Sequence, residues 1–172
     1  MQKYRNPAWM ALMIVYLYFL VKIVLFKNAP IDLGFLARRL LAAAERPLGV
    51  LERIQAGNLV PFDSISSNAE HLSSTADRLN LFGNIALFAP LGFGIGLLTR
   101  GKSNSFAGAA VLSAAVSLAL ECSQALFSMG AFDVDDLILN GLGGVLGYAA
   151  HRFVRRPVPA EEETRRESRG RG

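Results

Sequence analysis

Cysteine and charged residues are both scarce in this sequence. The 172 residues include a single cysteine, Cys122, so no disulfide bond can form within the chain. Only 19% of the residues are charged, whereas 52% are hydrophobic. Soluble domains carry roughly 25% charged residues on average. The shortage of charge therefore argues against a single soluble domain and favours a chain that lies in a membrane.

Sequence motifs of common catalytic and metal sites are missing as well. The chain contains no P-loop, no nucleophile elbow and no cysteine or histidine spacing that indicates zinc. Its two histidines, His71 and His151, fall on opposite sides of the membrane in the topology predicted below, so they cannot share a metal ion. We therefore predict no metal and no cofactor, and we favour a protein without enzymatic activity.

Four apolar runs dominate the rest of the chain. Each is about as long as the ~20 residues that a helix needs to cross a bilayer core. The first run is longer than the roughly 7–15 residues of a signal-peptide core, so we expect an uncleaved anchor over residues 1–27. The fold class predicted is all-α, a polytopic membrane bundle of about four transmembrane helices. The runs are residues 8–26, 81–99, 106–127 and 134 to about 154, the last three forming a core over residues 81–154.

Basic residues next to these runs set the predicted orientation. With four crossings they share one side of the membrane, and the connection over residues 128–132 contains none. The positive-inside rule then places the N- and C-termini in the cytoplasm. The basic residues are Lys3, Arg5, Arg100, Lys102, Arg152, Arg155 and Arg156.

The long loop over residues 28–80 is predicted to be extracytoplasmic and to contain one or two amphipathic helices. Apolar residues recur there at helical spacing between charged ones, and Pro47 divides the pattern. The tail over residues 155–172 is rich in charge, proline and glycine, and we predict that it is disordered. It contributes much of the sequence pI of about 9.6, which favours contact with anionic membrane lipids rather than nucleic acid.

Polar residues inside the apolar runs indicate a site in the outer third of the bundle. A rise of 1.5 Å per residue places polar groups of runs two, three and four at similar depths. A carboxylate at mid-membrane costs about 2.5–3.5 kcal/mol, so Glu121 should face protein or a wet crevice. The candidate site residues are Asn84, Glu121, Gln124, Asp133, Asp136 and Asn140.

Helical spacing suggests how these residues pair. Glu121 and Gln124 share one helix face, and Asp136 and Asn140 share another. The short connection between the two runs makes them antiparallel neighbours, so we expect Glu121 opposite Asn140 and Gln124 opposite Asp136. Small residues four apart should allow close helix packing or self-association into an oligomer. These pairs are Gly92 and Gly96, Ser113 and Ser117, and Gly143 and Gly147.

Structural explanations compete with a functional one at each acid. Asp133 suits the N-cap of the fourth run, where a side-chain oxygen accepts from a free backbone N–H. Asp135 and Asp136 in the first turn oppose the positive end of the helix, which stabilises it by about 0.3–1 kcal/mol each. Glu121 could equally be a hydrogen-bonded structural acid.

Four ordered segments of the chain resemble blocks of the VanZ-like family of integral membrane proteins. They are "GNLVPFDSI", "GNIALFAPLGFGIG", "SLALECSQALF" and "FDVDDLILNGLGGVLGY", which span about residues 58–148. The family takes its name from a protein associated with low-level teicoplanin resistance. The resemblance adds Asn58, Pro61 and Phe62 of the first loop to the candidate site.

One position departs from the family pattern. Family members often carry an arginine just before the acidic turn, where this chain has Met129, Gly130 and Ala131. The acids then lack their nearest counter-charge, unless the fold brings Arg78 or Lys22 close.

Three functions fit these observations. The resemblance implies a protein of the bacterial cytoplasmic (inner) membrane that handles cell-wall precursors or glycopeptides, with membrane lipids, an envelope precursor or a membrane protein as partners. A second hypothesis is a metal-assisted enzyme acting on a lipid-linked headgroup, with the acids as ligands or general base. A third is a small ion-coupled transport subunit that uses Glu121.

Overall fold

The described chain is a bundle of α-helices without β-strands. A computed structural model describes residues 7–27, 29–99 and 105–154. Lys3, Arg5, Arg100, Lys102 and the tail that was predicted to be disordered lie outside these residues. The helices are α1 (Pro7–Phe26), α2 (Leu33–Glu45), α3 (Pro47–Gln55), α4 (Asp63–Glu70), α5 (Thr75–Arg78), α6 (Asn84–Thr99), α7 (Ser105–Phe127) and α8 (Val134–Val154). A π-helical turn over Leu79–Gly83 joins α5 to α6.

Three stretches of helix among the described residues are long and apolar enough to cross a membrane. They are Pro7–Phe26, Thr75–Leu98 and Phe106–Phe127. The α8 helix has 21 residues and matches them in length, but its aspartates, Asn140 and polar C-terminal turn make it less apolar. The predicted all-α membrane bundle is therefore confirmed. The count of four crossings stays a prediction, because it depends on α8.

The α6 and α8 helices pack more extensively than any other pair of described elements. Glycines allow this contact, since a Cβ atom on Gly92 would overlap the carbonyl oxygen of Gly144. On the α8 side of the interface, a Cβ atom on Gly147 would overlap the carbonyl oxygen of Ala89. The backbones therefore touch directly, as the small residues four apart predicted.

The α1 helix attaches to the bundle through a few buried contacts. Leu20 is buried in one apolar cluster with Phe88, Leu91 and Leu120. The hydroxyl of Tyr16 donates to the carbonyl oxygen of Leu87 at 2.7 Å. Most of the other apolar side chains of α1 are exposed, which is the pattern of a helix that faces lipid on most sides.

The first loop contains α2, α3, α4 and α5, and the break between α2 and α3 falls where Pro47 predicted it. Asp32 caps the start of α2, because its Oδ1 atom accepts a hydrogen bond from the backbone N–H of Phe35 at 2.9 Å. The α3 helix begins at Pro47, where the missing N–H costs no hydrogen bond. Both helices pack on α7. The Nε atom of Arg53 fixes this contact by donating to the carbonyl oxygen of Ala125 at 2.7 Å.

Candidate functional site

A short backbone pairing joins the first loop to the start of α8. The N–H of Asn58 donates to the carbonyl oxygen of Phe132 at 2.8 Å, and the N–H of Val134 donates to that of Asn58 at 2.9 Å. The two bonds make an isolated parallel bridge between Asn58 and Asp133. A Cβ atom at Gly57 would overlap the carbonyl oxygen of Phe132, so the glycine is needed for the approach. We call the first loop around Asn58, the start of α8 around Asp133 and the C-terminal end of α7 together the acidic end of the bundle.

The turn that precedes α8 is set by the end of α7. Ser128 adopts a left-handed conformation with φ of 54°, and the N–H of Met129 donates to the carbonyl oxygen of Gln124 at 2.9 Å. A left-handed residue after the last turn is a common helix ending. It reverses the chain so that Asp133 returns beside Glu121, whose Oε2 atom accepts from the N–H of Asp133 at 3.0 Å.

Asp133 caps α8 and holds the loop at the same time. Its Oδ1 atom accepts from the N–H of Asp135 at 2.8 Å, which is N-cap geometry. The same oxygen accepts from the side-chain amide of Asn58 at 2.9 Å. The Oδ2 atom accepts from the hydroxyl of Ser64 at 2.6 Å. The cap that the sequence predicted is therefore present, and it has a second task in binding the loop.

Asp135 is the acid that sequence reasoning undervalued. Its side chain is fully buried, with 0% exposure, although a first-turn acid at the membrane surface was expected. Its two oxygens accept from the backbone N–H groups of Phe62 at 2.6 Å and Ile65 at 3.1 Å. Phe62 has a left-handed φ of 71°, which turns its N–H toward α8. Asp135 thus binds the first loop, whereas a contact only within the first turn of α8 was expected.

Glu121 and Asp136 form a carboxyl pair between α7 and α8. Their carboxyl groups lie close enough to interact directly. The side-chain amide of Asn84, at the first turn of α6, donates to Asp136 Oδ1 at 2.5 Å. Glu121 is 2% exposed. Side chains of three helices therefore meet at this pair.

The specific pairs predicted from helical spacing are wrong. Asn140 does not face Glu121; its Nδ2 atom donates to the hydroxyl of Ser117 at 2.8 Å, one turn deeper. Gln124 does not face Asp136; its Nε2 atom donates to the carbonyl oxygen of Val24 on α1 at 3.0 Å. The rotation of α8 about its own axis brings Asp136 to Glu121 instead, and short-range spacing cannot determine that rotation.

The sequence model of the VanZ/LLP1 family matches residues 13–155, which is most of the chain. The protein belongs to the VanZ/LLP1 family. Neither the search of curated proteins nor that of solved structures found a match.

The family match is longer than the segments in which the resemblance was noted. It starts at Met13 within α1 and includes α2 and α3, whereas the segments began near Asn58. The first helix and the amphipathic pair are therefore part of the VanZ/LLP1 unit. This agrees with the hydrogen bonds by which Tyr16 and Arg53 attach them to α6 and α7.

The structure brings together most of the candidate site residues of this VanZ/LLP1 protein. Asn84, Glu121, Asp133 and Asp136 form one connected network with Asn58. Phe62 takes part through its backbone only, since its ring is 60% exposed, and Pro61 is exposed beside it. Gln124 and Asn140 are buried but belong to neighbouring contacts.

Basic side chains contribute little to this acidic network. Among the described residues, no lysine or arginine nitrogen lies within 4.0 Å of its carboxylates. Arg78, one predicted counter-charge, donates instead to the carbonyl oxygen of Leu72 at 3.0 Å and to the hydroxyl of Thr75 at 3.1 Å. Lys27, at the end of α1, is near enough to interact electrostatically with Asp136. The carboxylates are thus satisfied mainly by neutral donors.

Metal ligation was the basis of the alternative enzymatic hypothesis. In the described ranges no three His, Cys, Asp or Glu side chains are grouped so that they could hold a metal ion. The oxygens of Asp133 and Asp135 are already used as acceptors by loop donors. The geometry gives that hypothesis no support.

Proposed function

We propose that this VanZ/LLP1 protein is a non-enzymatic binding protein of the bacterial cytoplasmic membrane. Its acidic end would face the outer leaflet and bind a donor-rich envelope component, such as a cell-wall precursor headgroup or a glycopeptide. The observation that supports this most is the Glu121–Asp136 carboxyl pair, which three helices assemble without a basic side chain in contact among the described residues.

The chemistry of the pair favours a ligand that donates hydrogen bonds. Two neighbouring carboxyl groups have more acceptor lone pairs than the donors from Asn84 and the Asp133 backbone use. Ammonium, amide and hydroxyl groups are the partners that suit those lone pairs, and bonds to an ionised carboxylate are the stronger ones. Peptide and sugar headgroups of envelope precursors supply such donors, whereas an anionic group would be repelled.

The first loop supplies a cover for this site. Asp133 and Asp135 bind the segment that contains Asn58 and Phe62, and hold it against the start of α8. Leu59, Val60 and the Phe62 ring are exposed at its tip. An apolar tip next to a polar site fits a ligand with a lipid part and a polar part, since each part meets surface of its own kind.

Substituting the carboxyl pair tests this proposal. In a host that lacks its own copy, cells that produce the full chain should differ in teicoplanin susceptibility from cells without it. We expect Glu121→Gln and Asp136→Asn each to remove that difference while the protein level in the membrane stays normal, because the shape is kept and the charge is lost. Minimum inhibitory concentrations and quantitative immunoblots of membranes provide the measurement.

Glu70→Gln is the matched control for these variants. Glu70 is an exposed acid at the end of α4, away from the acidic network, so its loss should leave susceptibility unchanged. If Glu121→Gln and Asp136→Asn reach normal membrane levels and behave like Glu70→Gln, the carboxyl pair has no part in ligand handling and the proposal fails.

A further inference from the structure

A separate cavity lies where α2, α3 and the end of α7 meet. Its volume is about 790 Å³, within the range of roughly 300–1,000 Å³ that is usual for small-molecule sites. The bend at Arg46 and Pro47 forms one wall, and Leu126 and Ser128 of the α7 ending form another. The cavity is thus built from the amphipathic pair and not from α6 and α8, which carry the acidic network.

Three arginines line this cavity: Arg39, Arg46 and Arg53. Within the described part of the chain, none of them has a carboxylate oxygen within 4.0 Å; the ion pair found there joins Arg38 to Asp32 at 3.8 Å. A guanidinium group has five N–H donors in a planar fork that matches phosphate oxygens. The Nε donor of Arg53 is used by Ala125, which leaves its other donors available.

Arg39 and Arg53 are held in position by other groups. The Arg39 guanidinium lies 5.1 Å from the centre of the Phe35 ring, and Arg53 is bound to α7 through Ala125. Two glutamates, Glu45 and Glu52, also line the cavity. Three positive and two negative groups leave a single net positive charge. That charge matches a monoanionic phosphodiester better than a dianionic free phosphate.

Exposed leucines occur on the same two helices that carry or flank the arginines. Leu40, Leu41 and Leu51 are exposed on α2 and α3, and Leu48 at the cavity wall is 71% exposed. Exposed leucines beside arginines are typical of helices that lie in the headgroup region with their apolar face toward the acyl chains. A lipid that enters the cavity from this side would meet leucines with its chains and arginines with its headgroup.

We propose that the cavity between α2, α3 and α7 binds the phosphodiester headgroup of an anionic membrane lipid. Arg39 and Arg46 supply the forked donors, Arg53 fixes the wall, and Leu48 contacts the acyl chain. This site does not depend on the function proposed for Glu121 and Asp136, because it shares no residue with their network.

Calorimetric titration of the purified full chain in detergent tests this proposal. The probes are dioctanoyl phosphatidylglycerol, dioctanoyl phosphatidylcholine and inorganic phosphate. We expect phosphatidylglycerol to bind, phosphatidylcholine to bind much more weakly and inorganic phosphate not to compete. The Arg39→Gln/Arg46→Gln double variant should weaken phosphatidylglycerol binding by roughly a hundredfold, since each lost charged hydrogen bond has an effect of about tenfold.

Arg38→Gln is the matched control, because Arg38 neighbours Arg39 but is not part of the cavity lining. It should bind phosphatidylglycerol like the unmodified chain, as should Asp136→Asn, which separates this site from the acidic network. Arg46→Gln alone provides a milder variant if the double variant unfolds. Equal binding of both lipids overturns the proposal, as does competition by inorganic phosphate or an equal loss in Arg38→Gln and Arg46→Gln.

Discussion

Asp135 differs from Asp133 and Asp136 in what it contacts. Its carboxylate lies under the first loop and accepts from two backbone N–H groups, those of Phe62 and Ile65. A buried N–H that loses its partner costs about 1–3 kcal/mol, and bonds to charged groups are the stronger ones. This residue therefore ties two segments that lie 70 or more positions apart in the sequence.

Replacing Asp135 should lower stability more than replacing an exposed acid nearby. Asp135→Asn puts an NH₂ group where one carboxylate oxygen accepts, so we expect the free energy of unfolding to fall by about 2 kcal/mol. Asp63→Asn, in the exposed first turn of α4, should cost less than about 1 kcal/mol. SDS titration of the detergent-solubilised variants, followed by circular dichroism, measures both. Equal losses would mean that Asp135 contributes only through the helix dipole.

For single residues, the sequence indicated which polar side chains belong to the candidate site but not which hydrogen-bond partners they have. Depth and helical phase grouped Asn84, Glu121, Asp133 and Asp136, and the structure places these four residues side by side, because a polar group in an apolar run must find another polar group. The partners of Gln124 and Asn140 were missed, since Val24 belongs to a helix whose packing the sequence leaves open. Asp135 was missed because loop N–H donors leave no signal in a sequence.

Glycine determines how closely α6 and α8 approach each other. The close contact at Gly92 puts its Cα atom against the backbone of Gly144, so no side chain separates the helices there. Close approach of this kind lets dispersion forces and backbone contacts hold helices together in lipid, where the hydrophobic effect does not. The same contact positions the first turn of α6, and hence Asn84, beside Asp136.

A methyl group at Gly92 should separate these helices. We expect Gly92→Ala to lower the free energy of unfolding by about 1–3 kcal/mol, the usual cost of overpacking. Gly108→Ala on α7 is the control, because a Cβ atom there would meet nothing within 4 Å. That variant should keep or slightly raise stability, since alanine favours helix over glycine. The prediction fails if both variants unfold at the same SDS concentration as the unmodified chain.

Element boundaries were easier to predict than contacts between elements. Local chemistry explains three boundaries. Ser128 and Gly130 interrupt the apolar run after α7, Asp133 caps α8, and Pro47 lacks an N–H at the break between α2 and α3. The π-helical turn before α6 has no comparable local signal. It adjusts the rotation of α6, which is a property of the packed bundle.

For the whole molecule, the bridge between Asn58 and Asp133 constrains how the chain crosses the membrane. The two residues are hydrogen-bonded through their backbones, so they lie on the same side. The helices between them that can span a membrane are Thr75–Leu98 and Phe106–Phe127, which fits one crossing to the opposite side and one crossing back. Gln124 binds Val24 near the end of α1, which places that end on the same side too.

The side on which the C-terminus lies depends on α8. If α8 crosses, as the four-helix topology predicts, the N- and C-termini share the cytoplasm. Green fluorescent protein fused after residue 172 should then fluoresce, and alkaline phosphatase at the same place should be inactive. Fusions after Ala131 should give the opposite result. Active phosphatase after residue 172 would show that three helices cross and that α8 lies within the bundle without reaching the cytoplasm.

The tie between Asn58 and Asp133 also limits where the protein can be divided for engineering. A fragment that began at residue 81 would keep α6, α7 and α8 but would leave the buried carboxylate of Asp135 without the N–H groups of Phe62 and Ile65. Split-protein reporters, minimal fragments and domain swaps within the family should therefore carry the segment from Gly57 to Ile65 together with the α7–α8 turn. These two segments lie far apart in the sequence, but they must be transferred together because each completes the hydrogen bonds of the other.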